Sequence, residues 1–421
     1  MTKPRSPVWH PFTQHMLQPD MIEVARAQGA WLETPTGTRI LDGISSWWVT
    51  THGHCYPPIM AAIKEQADTL DQVIFAGFTH APAERVARGL LDVAPKGLAH
   101  VFFSDSGSTS VEVALKMALG YWRNIGEPRH RILALEHGYH GDTIGTMSVG
   151  ARGVFNAAYE PLLFEVGRIP FPGNGHERDA LDVVEAVCAE GDVAALVIEP
   201  LILGAGGMLV YSPTVLEDLK RVCDRHGVLL IADEVMTGWG RTGTLFACEQ
   251  AGVTPDIMCL AKGLTGGAMP LAATLCSSAI FEGHLSTDRA KTFFHSSSFT
   301  ANPIACAAAA ANLEVWKREP VAERIATLGQ HQADRLAAFR SDPRFKAVRR
   351  LGTITALELE VRDSGYLAEV GPRLYRFFLD RGVLLRPLGN TVYVMPPYCT
   401  TADELDVIYE AISAGADSLA Q

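Results

Sequence analysis

No CxxC pair occurs among the eight cysteines, which are scattered at positions 55, 188, 223, 248, 259, 276, 306 and 399. That spacing excludes a disulfide framework or a zinc-ribbon pattern and reads as reduced, cytosolic usage, so a cytoplasmic location is expected. His52 and His54 of "HGHC" have no further ligand at a regular interval, and no metal is expected there. Long apolar runs are also missing: "PIACAAAAANL" (Pro303 to Leu313) is short and alanine-rich, which excludes a membrane span of about 18 residues or more. The opening "MTKPRSPVWHPFTQH" is broken by prolines and lacks the apolar stretch of a secretion signal. Basic blocks are absent, with 36 Lys+Arg against 47 Asp+Glu and a net charge of −11, so nucleic acid is not an expected partner.

What is present is an alternation of short apolar runs with longer helical patterns from about position 57. This is the mark of a mostly parallel sheet covered by helices, an α/β fold. The predicted strands are "HVFFS", "RILAL", "AALVIEP", "GVLLIADE", "DIMCLA" and "LAATLC". Helices are predicted over Thr109 to Trp122, Ser212 to His226 and Asn302 to Glu314, the last two marked by a proline near the start. At 421 residues the chain is expected to carry a large α/β domain over 57–315 and a smaller α+β domain over 316–421. The segment 1–56, with a "TPTG" hairpin turn, is expected to pack on the smaller domain.

Four motifs carry chemistry. In "GVLLIADEVMTGWGRTG" an apolar strand ends at Asp233, and carboxyl ends of strands are where open α/β sheets bind ligands. In "PDIMCLAKGLTGG" a second strand ends at Lys262, whose amine becomes a nucleophile when desolvation lowers its pKa. In "VFFSDSGSTSVEVALKMA" a strand runs through Gly107 and Ser108 into a helix, a phosphate cradle of free N–H groups and hydroxyls without a Walker or GxGxxG pattern. In "EHGYHGDTIG" Tyr139 and His140 follow a strand and offer an aromatic face. Each alone has an ordinary structural reading as a turn carboxylate, a snorkelling lysine, a helix cap or a packed aromatic. Together, at the strand ends of one sheet, they supply what pyridoxal phosphate requires. The adjacent Trp47 and Trp48 of "ISSWW" cannot both serve one core if the segment is extended, so one ring is expected to face something else.

With "LLIADEVMTGWGRTG" followed by "LAKGLTGG", nearly the whole chain resembles the class III, fold-type I pyridoxal-phosphate aminotransferases. The resemblance implies a large mostly parallel-sheet domain with a smaller α+β domain. It also implies pyridoxal 5′-phosphate held by Lys262 as an imine, Asp233 on the pyridinium, Tyr139 stacked or lining the pocket, Glu199 near the site, and Gly107 and Ser108 on the phosphate. A homodimer is implied in which the neighbour's loop completes the phosphate site; here it reads "HSSSF", placing Ser297 and Ser298 where the common pattern has Pro-Thr. "WHPFTQH", "DGISSWW", "FTHAPA" and "VMPPY" resemble the branch that aminates 8-amino-7-oxononanoate, with adenosylmethionine the expected donor and lysine the alternative. In that branch Trp47, Trp48 and Phe12 line the pocket mouth and Arg386 takes the substrate carboxylate. Ala205 stands where the branches acting on ω-amino acids carry a glutamate that neutralises this arginine. Phe12 replaces a frequent tyrosine, Leu203 a glutamine and Leu388 a phenylalanine.

Overall fold

A computed structural model describes residues 6–173 and 175–419. Near the amino terminus, β1 (Arg26–Gln28), β2 (Trp31–Glu33) and β3 (Arg39–Asp42) form an antiparallel meander. The β2–β3 hairpin closes at "TPTG", where Gly37 has φ 82° and its N–H donates to the Thr34 carbonyl at 3.0 Å.

The large sheet is built from β4 (Leu98–Ser104), β5 (Arg131–Leu135), β6 (Gly167–Ile169), β7 (Val193–Ile198), then, after a small hairpin of β8 (Ile202–Leu203) and β9 (Leu209–Val210), β10 (Leu229–Asp233), β11 (Ile257–Leu260) and β12 (Ala272–Ser277). Its order is β4-β12-β11-β10-β7-β5-β6, parallel throughout except that β12 runs antiparallel to both neighbours. The carboxyl ends of β4, β5, β7, β10 and β11 therefore share one edge. Every residue of β7, β10 and β11 is buried, because helices cover both faces, and this is why these strands read as unbroken apolar runs. The helix Pro213–His226 shows the local logic: Ser212 caps it by accepting from Val215 N, Pro213 opens it, and Gly227 ends it at φ 62°.

Toward the carboxyl terminus, β13 (Phe345–Leu351), β14 (Ile354–Leu359) and β16 (Thr391–Val394) form an antiparallel sheet, and β15 (Val383–Leu384) lies between β14 and β16 in sequence. β15 leaves that sheet and pairs in parallel with β3, Leu384 opposite Asp42. The segment after β3 and the segment after β15 thus emerge side by side. No helix among the described residues is long and apolar enough to cross a membrane.

Several elements depart from expectation. β6, β8, β9 and β13 were not predicted, the first three because they are only two or three residues long and the last because "FKAVRRL", with Arg349 and Arg350 adjacent, lacks a regular apolar–polar alternation. The helix predicted over Asn302 to Glu314 runs from Pro303 to Arg318. Trp47 and Trp48 lie not in extended chain but in a kinked turn, Ser45–Trp48, in which Ser45, Ser46 and Trp48 have φ of 52°, 60° and 66°.

Candidate active site

A cavity of about 600 Å³ opens at the shared carboxyl edge of the large sheet. Asp233 ends β10 and Glu199 follows β7; the two strands are in register at Ala232 and Ile198, so the two carboxylates are neighbours. Lys262 follows β11 and takes a left-handed conformation at φ 47° in the turn Lys262–Thr265. This conformation is costly for a side chain with a Cβ, and such outliers concentrate at functional sites. All three residues line the cavity.

Burial lowers the Lys262 ammonium from its ordinary value to about 8, against the opposing pull of Asp233 and Glu199, with Arg241 adding to the lowering. Its Nζ lies 4.7 Å from the centre of the Trp48 ring. Asp233 Oδ2 is 2.8 Å from His140 Nδ1, and Val235 N donates to Oδ1 at 3.1 Å. The other ring nitrogen of His140, Nε2, is buried without a partner. Glu199 receives the N–H groups of Tyr139 and Gly204, each at 2.9 Å, yet its burial pushes the carboxyl up to about 7. Glu199 is thereby a brace for the loop that carries Tyr139. Burial, followed by the charge of Asp142, raises the Tyr139 phenol, so it stays protonated.

The helix Gly107–Asn124 aims its amino terminus at the same space. Ser106 caps it reciprocally with Thr109, and the first-turn N–H groups of Gly107 and Ser108 face outward. A Cβ on Gly107 would stand 2.6 Å from Val235 Cγ1, so only glycine lets this turn approach the strand-end segment. Gly141 fits still more closely: a Cβ there would lie 2.1 Å from Ser108 Oγ, the hydroxyl that accepts from Asp142 N at 3.2 Å.

The opposite wall is aromatic. Trp48 is 5% exposed and donates Nε1–H to the Tyr393 hydroxyl at 3.0 Å, whereas Trp47 is 41% exposed and meets Phe12 edge-on at 5.5 Å. Phe12 packs on Phe155, and Phe155 on Tyr366. Arg386 sits two residues beyond β15, 5.2 Å from the Trp47 ring centre, and donates Nη2–H to the Phe12 carbonyl at 3.2 Å. Among the described residues no carboxylate forms a salt bridge with Arg386, and Ala205 lines the cavity. The strained turn that presents the two tryptophans is held by Asp42, whose fully buried carboxylate accepts from Ile44 N (3.2 Å), Ser46 N (2.7 Å), Ser46 Oγ (3.3 Å) and His54 Nε2 (2.8 Å).

One cavity therefore gathers Lys262, Asp233, Tyr139, Glu199, Gly107, Ser108, Trp47, Trp48, Phe12 and Arg386. It does not gather Ser297 and Ser298, which belong to a separate loop where Ser298 is exposed and its carbonyl accepts from Gln72 Nε2 at 2.6 Å. Sequence reasoning passed over Asp42 and Arg241. Arg241 is 1% exposed and donates to the carbonyls of Thr50 (2.9 Å) and Pro396 (3.0 Å), fastening the amino-terminal segment behind Lys262. The signal for Arg241 was available, since it stands inside the "GWGRTG" run next to Asp233.

A family model described as aminotransferase class III matches residues 13–415. The chain is 47% identical to adenosylmethionine-8-amino-7-oxononanoate aminotransferase of Synechococcus elongatus, over 98% of this chain and 99% of that one. It is 39% identical to the enzyme of the same name from Geobacter sulfurreducens, over 97% and 95%. Among solved structures, the same-named enzyme of Methanocaldococcus jannaschii superposes with a TM-score of 0.92 at 34% identity, covering 97% of both chains. An amine transaminase from an uncultivated Pseudomonas species, in its PLP-bound form, superposes equally well, with a TM-score of 0.92 at 34% identity over 98% and 99%.

Proposed function

The chain belongs to the class III aminotransferases, and from that premise we propose that it aminates the ketone of 8-amino-7-oxononanoate to give 7,8-diaminononanoate, with S-adenosylmethionine as donor and pyridoxal phosphate as cofactor. The observation that carries the substrate reading is the Arg386 end of the cavity. There a guanidinium without a carboxylate partner among the described residues stands beside Trp47 and Phe12, in the cavity that Lys262 and Asp233 also line. A planar guanidinium suits a carboxylate in bidentate fashion. Apolar rings suit a long methylene chain, each buried methylene contributing about 0.8 kcal/mol. Ala205, which lines the cavity, offers no carboxylate to Arg386, and this argues against ω-amino-acid substrates.

The residues fit the cofactor. Lys262 offers an amine whose lowered pKa gives a substantial neutral fraction near pH 8. Asp233 offers a buried acid kept in place by His140 and Val235 N, suited to holding a proton on the pyridine nitrogen. Gly107 and Ser108 offer free N–H groups at a helix amino terminus for the phosphate, and Tyr139 offers a protonated phenol. When bound, pyridoxal phosphate supplies an electron-withdrawing ring that takes the electron pair left by C–H cleavage and carries the amino group between two half-reactions. In the first, the Lys262 amine takes the proton from the donor's α-carbon; in the second, it delivers a proton to C7 of the acceptor. Trp48 covers the Lys262 amine and limits the access of water to it. Arg386 holds the acceptor's carboxylate and so sets which carbon meets Lys262.

A second copy of the chain completes this reading. Ile74, Phe78, Phe294 and Phe299 are exposed around the loop of Ser297 and Ser298, an apolar surface suited to a homodimer contact that would bring the serine hydroxyls to the neighbour's phosphate site. The test is a donor panel of adenosylmethionine, lysine, alanine and glutamate, with 8-amino-7-oxononanoate as acceptor and product read by mass spectrometry. Adenosylmethionine is expected to support turnover, and Arg386→Ala to raise the acceptor KM about 10- to 100-fold, the range for a hydrogen bond to a charged group. Failure of every donor to aminate the acceptor would overturn the assignment.

A further inference from the structure

We infer that Asn312 is a positioning residue for Lys262: its side-chain amide, oriented by His52, holds the turn that aims the Lys262 amine into the cavity. The inference rests on the reading of Lys262 as the catalytic amine. Asn312 is fully buried on the alanine-rich helix Pro303–Arg318, where an unpaired amide is costly and every polar atom requires a partner. Its Nδ2 donates to the carbonyls of Gly263 (2.9 Å) and Leu264 (3.1 Å), the two residues that follow Lys262. Both N–H bonds of the amide are thereby spent on the left-handed turn, and Oδ1 must be its acceptor.

The partner of Oδ1 is His52 Nε2 at 2.8 Å. Burial lowers the His52 imidazole to about 4, so the ring is neutral. An acceptor at Oδ1 requires the proton on Nε2, which leaves Nδ1 as the bare nitrogen, and Nδ1 is indeed buried without a partner. The relay thus has one direction, from His52 through Asn312 to the Gly263 and Leu264 carbonyls.

The turn is confined on its other sides too. A Cβ on Gly263 would lie 2.7 Å from Trp239 Cβ, and a Cβ on Gly267 would lie 2.6 Å from the Val49 carbonyl. With Trp239 and Val49 as walls, and with Thr265 Oγ1 donating to the Met269 carbonyl at 2.6 Å farther along, the Asn312 amide is the side-chain contact that fixes the two carbonyls directly after Lys262. Neither His52 nor Asn312 lines the cavity, so neither touches substrate.

The test uses the full chain with Asn312→Leu, which keeps the volume, and the pair His52→Gln and His52→Phe, of which only glutamine can still donate from near the Nε2 position. Two readouts separate positioning from packing. The first is the pH dependence of Lys262 acetylation by trace anhydride, followed by mass spectrometry without cofactor. The second is the split between kcat and acceptor KM. Asn312→Leu and His52→Phe are expected to move the Lys262 titration up by about one unit toward the ordinary lysine value. They should lower kcat about 10- to 100-fold, the scale of a misplaced catalytic group, with KM within about twofold. His52→Gln is expected to retain both wild-type values. An unmoved titration in Asn312→Leu and His52→Phe, or His52→Gln behaving as His52→Phe, would overturn the relay while leaving the aminotransferase reading intact. Turnover that survives Lys262→Ala would overturn both.

Discussion

Replacing Asp42 by asparagine removes one charge from the base of the tryptophan turn and changes almost no volume. Its carboxylate receives four donors, three of them on Oδ2. The best placement of an asparagine keeps its oxygen at that position and turns its NH2 toward Ile44 N, setting donor against donor. An unsatisfied buried N–H costs about 1–3 kcal/mol, and the remaining bonds lose their charge assistance. Meanwhile three left-handed residues, Ser45, Ser46 and Trp48, each carry about 1–3 kcal/mol of backbone strain that Asp42 counters. A central expectation is a loss of about 3 kcal/mol, or about 6 °C in melting temperature at the lower slope for large domains. The released turn frees Trp47 from Arg386 and Trp48 from Lys262, so the acceptor KM should rise about tenfold on the scale of the 1–2 kcal/mol lost. Ser46→Gly in the same background relieves the strain at φ 60° and should recover most of the stability. Differential scanning fluorimetry and steady-state kinetics on the wild type and these two variants provide the assay. Asp42→Asn melting within about 1 °C of wild type, or no recovery from the added glycine, would refute the strained-clamp account.

The Lys262 amine couples folding to pH with a definite sign. Its folded-state value of about 8 lies below the ordinary 10.5, so between those values the unfolded chain binds the proton and the folded chain does not. Cofactor-free protein should therefore gain stability as pH rises through that window, and urea titrations of Lys262→Met should lose this part of the slope. Gly141→Ala should loosen pyridoxal phosphate at least about tenfold by equilibrium dialysis, because the new Cβ meets Ser108 Oγ at 2.1 Å and displaces the helix start. Gly37→Ala is the control: it also has positive φ, at 82°, but nothing lies within 4 Å, so it should cost only about 1 kcal/mol and leave cofactor binding unchanged.

The strands that place Asp233, Lys262 and Glu199 were legible because burial on both faces leaves an unmistakable run of apolar residues, and a charged residue at the end of such a run stands out. The helix at Gly107 was legible from its serine and glycine start. The tryptophan turn was not, since "ISSWW" contains no glycine and nothing in two serines announces left-handed backbone. The strain depends on Asp42 and on Tyr393, which is 345 residues from Trp48. Asn312 offered a faint signal, a lone amide in "AAAAANL", whose meaning rests on a contact with a turn 48 residues earlier. Long-range hydrogen bonds of this kind leave no period in the sequence.

The parallel pairing of β3 with β15 has a consequence for how substrate length is measured. The chemistry stands on the large sheet, whereas the aromatic turn and Arg386 hang from adjacent ends of a different, four-stranded sheet. The two jaws of the pocket thus behave as a calliper whose gap depends on where two separate sheets stand rather than on any one side chain. A ladder of keto acids differing by single methylenes would read that gap directly. Insertions in the connections to β15 would reset it while leaving Asp233, Glu199 and Lys262 at the strand ends of the large sheet.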